Sequence, residues 1–409
     1  AQVQRALRHR GPDGEGAFRR DWLTLLHTRL AVIDTSTAAA QPMLDQSGRY
    51  VIVFNGAIYN YAELYRKYCP QDGSVNGKSD TAVLLHLAST HGSECLPLLD
   101  GMFAFAVVDL SRRSLFFARD RFGEKPLYWL RQGDRFLFAS EIRALRALSP
   151  DQDWILDHES QAIFHMIGSV PAPRTIYQNV LALAPGGWLE SDPDKGLRLK
   201  SYWNLSIDQH QIGLGPVDTQ EGVRETQRCL LKAVESRMVA DVPVGVFLSG
   251  GYDSSAIVGL LAAGRHRAST ALCVDFEEAR FSESKYAEIT SRHYDQPVSR
   301  HVITGEEFID GLPQFFASMD QPTSNGYNTY FLSRAAAQLG VKVWLSGVGG
   351  DELFGGYPFF QRIGRLKALS RMLQLFLPSG IVDALGRSHC PSLRQSRLIH
   401  LADTGSPLK

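Results

Sequence analysis

Glycine and serine between a strand and a helix are residue types that bind phosphate, and an aspartate beside them can bind the accompanying metal ion. Residues 248–255 read Leu-Ser-Gly-Gly-Tyr-Asp-Ser-Ser. The paired glycines let main-chain N–H groups converge, and the N-terminus of the following helix adds a partial positive charge. Serine hydroxyls can donate to phosphate oxygens, and Asp253 can hold the Mg²⁺ that accompanies a polyphosphate. The pattern predicts a loop that binds the pyrophosphate end of ATP, although the Gly-Lys-Ser/Thr ending of the usual P-loop is absent.

A second glycine-rich block follows another apolar run. Residues 341–345 read Val-Lys-Val-Trp-Leu, and residues 346–357 read Ser-Gly-Val-Gly-Gly-Asp-Glu-Leu-Phe-Gly-Gly-Tyr. So many glycines around an acidic pair exceed what a strand-to-helix turn needs. Parallel α/β sheets bind ligands at the carboxyl ends of their strands, so the block predicts a second loop facing phosphate or metal. Asp253 and Asp351 are the predicted ligands of Mg²⁺ bound with pyrophosphate.

The elements that must position these loops alternate between strand and helix patterns. The predicted strands are 244–248, 271–276 and 341–345, and the predicted helices are 219–239, 284–293 and 328–339. Right-handed crossovers between such strands produce a parallel sheet covered by helices on both faces. The second half of the chain is therefore predicted to be an α/β parallel-sheet domain.

A different pattern occupies the first part of the chain. The apolar strand 51–54 runs into Asn55 and Gly56, a pair that predicts a tight turn. Asn-Gly alone most often marks a plain hairpin. A functional interpretation of the pair depends on the neighbouring sequence.

The neighbouring blocks resemble the glutamine-hydrolysing asparagine synthetase family. Residues 248–255 are similar to the SGGxDS pyrophosphate loop of N-type ATP pyrophosphatases, and residues 346–357 to the SGxGGDE(L)FGGY block of asparagine synthetases. The class II glutaminase domain of the family is matched by His-Arg-Gly-Pro-Asp at 9–13, Arg-Leu-Ala-Val-Ile-Asp at 29–34, Gln-Pro-Met at 41–43 and Phe-Asn-Gly-Ala-Ile-Tyr at 54–59. The resemblance implies an N-terminal Ntn-type αββα glutaminase sandwich followed by an α/β adenine-nucleotide-α-hydrolase-like (PP-loop) synthetase domain.

The resemblance also implies how the chain is divided. Residues 1–150 are predicted to form the glutamine amidotransferase domain, 151–218 a connecting segment, and 219–409 the ATP-pyrophosphatase domain, which we expect to be incomplete at its C-terminus. In the family the nucleophile is an N-terminal cysteine whose α-amino group acts as base. We expect that segment to lie outside this chain, because none of the five cysteines falls in a matching block.

Roles for individual residues follow from the same resemblance. The Asn55 amide and the Gly56 N–H are implied as the oxyanion hole. Arg29 is implied to bind the α-carboxylate of glutamine and Asp80 its α-ammonium; for both, a surface ion pair is the alternative. The implied ATP-binding residues are Leu248, Ser249, Gly250, Gly251, Asp253, Ser254, Ser255, Val274, Ser346 and Gly347. For Val274 a role in the core is a fair alternative, and Glu352 is a weaker metal candidate that could instead cap the following helix.

Two positions depart from the family pattern. Ala57 stands where the family commonly has glutamate after Asn-Gly, which removes one contact to glutamine. Val348 stands where many asparagine synthetases have a glutamate near the reacting centre. These departures leave the glutaminase activity and the acceptor carboxylate open. The family's catalytic lysine belongs to a region beyond the matched blocks and is not assigned.

The implied reaction is ATP-dependent amidation of a carboxylate, most simply aspartate to asparagine. It proceeds through an acyl-adenylate, takes ammonia from glutamine, and releases AMP and pyrophosphate. Two alternatives within this chemistry are amidation of another carboxylate and intramolecular amide formation, as in β-lactam synthetases and lasso-peptide cyclases. An alternative of another class is a non-catalytic homologue that only binds nucleotide.

Composition restricts the partners. The 409 residues carry 43 basic and 43 acidic side chains, so nothing favours nucleic acid or an anionic membrane. The five cysteines show no metal or redox spacing, which favours reduced thiols and a cytoplasmic protein. We expect small-molecule partners (ATP with Mg²⁺, glutamine, and aspartate or another carboxylate) and leave a homodimer open. From residue 361 a basic amphipathic helix is predicted, which packs on the synthetase sheet or, alternatively, binds a membrane or a partner.

Overall fold

The computed structural model describes residues 2–69, 75, 77, 79–194, 196–205, 219–277, 282–360 and 362–363. The chain divides into two compact units, Ala1–Leu345 and Ser346–Lys409. Nearly all of the amphipathic helix predicted from residue 361 lies outside the described residues. Within the described ranges, no helix is both long enough and apolar enough to cross a membrane.

The N-terminal half of the first unit is built mainly from antiparallel strands. Its helices are α1 (Gln2–Leu7), α2 (Tyr61–Tyr68), α3 (Asp80–His91), α4 (Ile142–Leu148) and α5 (His158–Ile167). Its strands are β1 (Gly14–Arg20), β2 (Leu23–Arg29), β3 (Met43–Leu44), β4 (Tyr50–Ile58), β5 (Gly101–Asp109), β6 (Ser114–Arg119), β7 (Tyr128–Gln132), β8 (Arg135–Ala139), β9 (Leu181–Ala182), β10 (Gly187–Asp192) and β11 (Gly196–Ser201).

These strands form three sheets. The largest has six strands in the order β11-β10-β6-β5-β4-β3, while β1 pairs with β2 and a third sheet has the order β8-β7-β9. Strands β9, β10 and β11 come from the predicted connecting segment, yet β9 and β10 pair with strands of the N-terminal half. The domain boundary at residue 150 stays a prediction.

The central strands β4 and β5 of the six-stranded sheet are buried on both faces, which produces four layers. Along β4, Ile52 and Phe54 pack on one face with helices α2 and α3. Val51 and Val53 point to the other face, towards β2, β7 and β8, because side chains alternate along a strand. Leu145 of α4 covers the far side of that second layer, with α1 beside it. The αββα prediction is therefore confirmed.

The C-terminal half of the first unit is an α/β domain. Its elements are α6 (Thr219–Arg237), β12 (Val244–Phe247), α7 (Tyr252–Ala263), β13 (Ala271–Phe276), α8 (Ser284–His293), β14 (Val298–Ile303), α9 (Gly305–Ser318), α10 (Gly326–Gln338) and β15 (Val343–Leu345). All neighbouring strands are parallel, in the order β14-β13-β12-β15. One core cluster joins the sheet to α6, α7 and α8, and another joins it to α10. The predicted parallel sheet covered on both faces is confirmed.

Candidate functional site

Strand β4 carries both residues predicted for the oxyanion hole. Asn55 and Gly56 lie inside β4 and pair with Ala104 and Phe103 of β5. The predicted tight turn at these two residues is therefore wrong. Gly56 has φ +154°, and a Cβ atom there would meet the Met102 carbonyl oxygen at 2.0 Å. Glycine lets the strand continue through a position that other residues could not occupy.

The amide of Asn55 has an unused donor. Its Nδ2 atom is buried and has no hydrogen-bond partner among the described residues. Leaving a buried N–H unpaired costs about 1–3 kcal/mol. Such a donor favours a ligand oxygen at this position, as an oxyanion hole requires.

Two side chains hold the strand just before the oxyanion pair. Gln41 Oε1 accepts the Phe54 N–H at 2.6 Å, and its Nε2 donates to Thr81 Oγ1 at 3.4 Å. The His27 ring also hydrogen-bonds the Phe54 main chain, and burial lowers the pKa of His27 to about 4, so the ring is neutral at pH 7. Sequence reasoning assigned no role to either residue. Only the place of Gln41 in a matched block could have drawn attention to it.

The guanidinium of Arg29, at the end of β2, contacts the loop that follows. Its Nη1 donates to the Ser36 carbonyl at 2.7 Å and its Nη2 to the Asp34 carbonyl. Asp34 has φ +49°, and its Oδ1 accepts the Ser36 N–H at 3.1 Å and the Ser36 hydroxyl at 2.6 Å. These main-chain contacts fix the guanidinium, and three of its five N–H donors have no partner among the described residues, so they could bind a ligand.

The carboxyl group of Asp80 is buried rather than paired on the surface. Asp80 begins α3 and is 4% exposed. Its Oδ2 accepts the Ile58 N–H of β4 at 3.2 Å, and its Oδ1 accepts the Thr81 N–H at 2.8 Å. Burial raises the pKa of Asp80 to about 6, and the nearby charge of Asp34 adds to the rise. The structure therefore brings Asp80, β4 and the loop that holds Arg29 close together.

The predicted phosphate-binding residues, 249–255, comprise the end of the connection between β12 and α7 and the first turn of α7. Gly250 has φ +85°, and a Cβ atom there would lie 2.9 Å from the Ala287 nitrogen and 2.9 Å from the Glu283 oxygen. The start of α8 thus packs directly against the loop. Gly251 is the N-cap of α7, where the first N–H groups of a helix lack acceptors within the helix.

The serine hydroxyls of this loop are already hydrogen-bonded within the protein. Ser254 Oγ accepts the Ser249 N–H at 3.2 Å and donates to the Gly251 carbonyl at 3.1 Å. Gly251 N–H donates to Ser249 Oγ at 3.3 Å, and Ser255 Oγ pairs with Thr290 Oγ1 at 3.0 Å. The hydroxyls therefore shape the loop in this structure. Direct contacts between serine and phosphate stay a prediction.

The two apolar residues predicted for the adenosine pocket belong to the core. Leu248 is 0% exposed and packs between β12 and α7. Val274 is half-buried and packs against α10, the alternative considered for it. A contact of either residue with adenosine stays a prediction.

Asp275 was missed at the sequence level. It lies next to Val274 in β13 and is 1% exposed. Its Oδ2 accepts Arg300 Nη2 at 2.6 Å and the Ser282 hydroxyl at 2.9 Å. A charged residue inside an otherwise apolar strand was the signal that could have revealed it, because buried carboxylates are almost always paired.

In the second unit, the acidic pair opens α11 (Gly350–Phe354). Gly356 N–H donates to the Asp351 carbonyl at 3.0 Å, and a Cβ atom at Gly356 would lie 1.8 Å from Asp351 Oδ1. Glu352 Oε1 accepts the Tyr357 hydroxyl at 2.8 Å. Glu352 is thus tied to a residue after the helix and lies in the first turn of α11 instead of capping it.

The residues that open the second block form a small turn. Ser346 Oγ accepts the Val348 N–H at 3.3 Å, and the Gly347 carbonyl accepts the Gly350 N–H at 3.1 Å. The Val348 side chain is 88% exposed. Across the described ranges, no three His, Cys, Asp or Glu side chains cluster as metal ligands, so the metal roles of Asp253 and Asp351 stay predictions.

Comparison with known proteins agrees with the two halves of the chain. A glutamine amidotransferase domain model matches residues 1–203, and an asparagine synthase model matches residues 225–403. Asparagine synthetase (glutamine-hydrolyzing) 1 of Bacillus subtilis is 34% identical over 388 residues, covering 94% of this chain and 59% of that protein. A Methanocaldococcus jannaschii protein named as a second asparagine synthetase (glutamine-hydrolyzing) is 32% identical, covering 87% of this chain and 72% of that protein.

A relative with a different name is almost as similar. Amidase chry2 of Gibberella zeae is 31% identical over 375 residues, covering 87% of this chain and 54% of that protein. The chain thus spans 59% of the length of the Bacillus relative and 54% of the length of the Gibberella one.

Proposed function

Because the chain belongs to the glutamine-hydrolysing asparagine synthetase family, we propose that it catalyses ATP-dependent amidation of a carboxylate with ammonia from glutamine. The observation that carries this proposal is the connection from β12 to α7. Gly250 turns there at φ +85° and presents the N-terminus of α7, whose N–H groups suit the phosphates of ATP. Aspartate is the simplest acceptor.

In the proposed glutaminase reaction, two charged side chains bind the two charged groups on the α-carbon of glutamine. Arg29, held by the carbonyls of Asp34 and Ser36, would bind the α-carboxylate. Asp80, ionised at neutral pH, would bind the α-ammonium. The Asn55 amide and the Gly56 N–H would stabilise the oxyanion that forms when a cysteine thiolate attacks the side-chain amide, an effect worth about 3 kcal/mol per donor.

In the proposed synthetase reaction, a carboxylate oxygen of the acceptor attacks the α-phosphorus of ATP. The bond to the β-phosphate breaks, pyrophosphate leaves, and an acyl-adenylate remains. Ammonia then attacks the acyl carbon, AMP leaves, and the nitrogen loses a proton as the amide forms. Residues 249–255 would bind the leaving pyrophosphate through the main chain at the start of α7.

A magnesium ion fits this half of the site. Mg²⁺ usually binds through one or two carboxylates plus phosphate oxygens and water, so a preformed cluster of protein ligands is not required. Asp253, in the first turn of α7, would hold it, and the cation would neutralise charge on the departing pyrophosphate. Asp351 is the second candidate ligand.

Pyrophosphate release with an ammonium salt as nitrogen source tests the proposal without depending on glutamine hydrolysis. We expect release in the full chain to require both ATP and the acceptor, and Asp253→Ala to reduce it at least a hundredfold, as removal of a key electrostatic group does. Asp310→Ala, which removes an exposed carboxylate of α9, is the matched control and should leave release unchanged. If the protein binds ATP but releases no pyrophosphate with any carboxylic acid, the non-catalytic alternative is favoured.

The acceptor is decided by the same assay with a panel of carboxylic acids. The second candidate is an acceptor other than aspartate. It is suggested by Val348, which is exposed and apolar at a position where the resemblance leads us to expect glutamate. The similarity to an amidase of Gibberella zeae is in keeping with that candidate. If aspartate is the only acid that supports pyrophosphate release, the product is asparagine. If only another acid supports release, that acid is the substrate in place of aspartate.

A further inference from the structure

The loop after β2, residues 31–36, is positioned by hydrogen bonds that involve residues of the C-terminal half of the first unit. We call this part, from α6 to β15, the synthetase half. We call residues 31–36 the arginine loop, because the carbonyl groups of Asp34 and Ser36 accept hydrogen bonds from the guanidinium of Arg29. Any movement of these carbonyls would move the donors that the proposed function assigns to the glutamine α-carboxylate. What holds the arginine loop therefore controls where Arg29 points.

Asp241 makes two hydrogen bonds to this loop. Its main-chain N–H donates to the Val32 carbonyl at 2.9 Å, and its Oδ2 accepts the Asp34 N–H at 2.7 Å. The residues are 207 positions apart in sequence. Asp34 has φ +49°, a conformation that costs a non-glycine residue free energy and persists only where the surroundings enforce it. The bond from Asp241 is one of the contacts that enforce it.

Lys342 holds the beginning of the same loop through Asp13. Lys342 Nζ donates to Asp13 Oδ2 at 2.7 Å, and the same oxygen accepts the Ala31 N–H at 2.7 Å. The Lys342 and Asp13 side chains are 34% and 26% exposed, so their charges are partly shielded from water. The loop is thus fixed at Ala31 through Lys342, and at Val32 and Asp34 through Asp241.

Asp241 and Lys342 both lie at the amino ends of strands in the parallel sheet. Asp241 shortly precedes β12, and Lys342 immediately precedes β15. These two strands are hydrogen-bonded neighbours, with Val244 opposite Val343. The amino ends of two adjacent strands therefore hold the arginine loop, while β12 leads at its other end into residues 249–255.

We propose that Asp241 and Lys342 are positioning residues for glutamine binding: they belong to the synthetase half, touch no substrate, and keep Arg29 aligned through the arginine loop. This inference rests on the proposed function, in which Arg29 binds the α-carboxylate. If the amino ends of β12 and β15 lost their fold, the arginine loop would lose these contacts and Arg29 would no longer be aligned for glutamine.

Glutamine binding measured by calorimetry on the full chain tests the proposal. Asp241→Ala should weaken binding about tenfold, the effect of losing one or two hydrogen bonds that orient a charged group. Asp241→Asn keeps a side-chain oxygen that accepts the Asp34 N–H, and should bind within about twofold of the parent chain. Lys342→Met should weaken binding severalfold, and it replaces Asp241→Ala if that variant does not fold.

Asp320→Ala is the matched control. It breaks a different contact between the halves, in which Asp320 accepts the Ile142 N–H at 2.6 Å, and it should leave glutamine affinity unchanged. Equal weakening by Asp320→Ala would mean general loosening and would overturn the positioning role. Amide hydrogen exchange supplies an independent measure: exchange across residues 31–36 should accelerate in Asp241→Ala and not in Asp320→Ala.

Arg29→Ala separates the two hypotheses. If Arg29→Ala abolishes binding while Asp241→Ala and Lys342→Met leave both affinity and exchange unchanged, the positioning role is wrong and the proposed glutamine site stands. If Arg29→Ala has no effect on binding, the proposed glutamine site itself is wrong. Accelerated exchange with unchanged affinity would show that the loop moves without consequence for Arg29, which also overturns the inference.

Discussion

At the scale of single residues, Asp80 is a carboxyl group buried among main-chain N–H groups. Its pKa of about 6 comes first from burial, so the group changes charge between pH 5 and 7. If it binds the α-ammonium of glutamine, only the ionised form contributes. We expect glutamine affinity, measured by calorimetry, to rise about tenfold from pH 5 to pH 7, following the ionised fraction of a group with that pKa.

The stability of the protein should change with pH in the opposite direction. The pKa of Asp80 is raised above 3.8 in the folded state, so the folded protein binds this proton more tightly than the unfolded chain does. The stabilisation is fully present below about pH 4 and is lost as the pH rises through about 6. Asp80→Asn should remove both pH dependences. A glutamine affinity that rises equally in Asp80→Asn would contradict the assignment.

At the scale of elements, two adjacent glycines of the loop after β12 have different tasks. Gly250 adopts φ +85°, and a Cβ atom would collide with main-chain atoms of Glu283 and Ala287. Gly251 has φ −71°, and a Cβ atom there would meet only Ser249 Oγ at 3.4 Å. We expect Gly250→Ala to lower the free energy of unfolding by about 1–3 kcal/mol and to abolish ATP binding.

Gly251→Ala is the matched control for stability. Its backbone conformation suits alanine, so urea unfolding should give a free energy within about 0.5 kcal/mol of the parent chain. ATP binding by both variants can be followed by calorimetry. Equal destabilisation by the two substitutions would show that the close approach of α8 does not determine the shape of this loop.

The elements that could be predicted from sequence are those set by local patterns. Predicted strand 271–276 and predicted helix 284–293 match β13 and α8, because apolar periodicity and flanking turn residues are local properties. The Asn55–Gly56 turn failed for a tertiary reason. Gly56 faces Met102 and Phe103 across the β4–β5 ladder, and that pairing is not encoded by the dipeptide itself.

The candidate site was predictable only in part for the same reason. The glycines after β12 carry a pattern that predicts their loop, whereas the bond between Ser249 and Ser254 depends on how the loop closes. His27 and Gln41 act on β4 through single hydrogen bonds from neighbouring segments. Asp241 and Lys342 reach residues more than 200 positions away, and no periodicity in a sequence records such a distance.

At the scale of the whole first unit, a short segment after α9 joins the two halves. Asp320 accepts the N–H groups of Ile142 and Arg143 at 2.6 and 2.9 Å, so a residue of the synthetase half caps α4 of the other half. The next residue, Gln321, accepts the Ile176 N–H at 3.1 Å. Burial raises the pKa of Asp320, although the two N–H groups oppose the rise.

We expect Asp320→Ala to destabilise the protein by about 1–2 kcal/mol, the usual cost of losing a cap at a helix N-terminus. Amide exchange in Ile142–Leu148 should accelerate, because the lost acceptor left two N–H groups of that helix unpaired. Asp310→Ala, on the exposed face of α9, should change neither quantity. If Asp320→Ala lowers the free energy of unfolding in urea but leaves amide exchange in α4 unchanged, the hydrogen bonds to Asp320 do not stabilise α4 across the boundary between the halves. The two halves would then be joined by their other contacts, among them the hydrogen bonds of Asp241, Lys342 and Gln321.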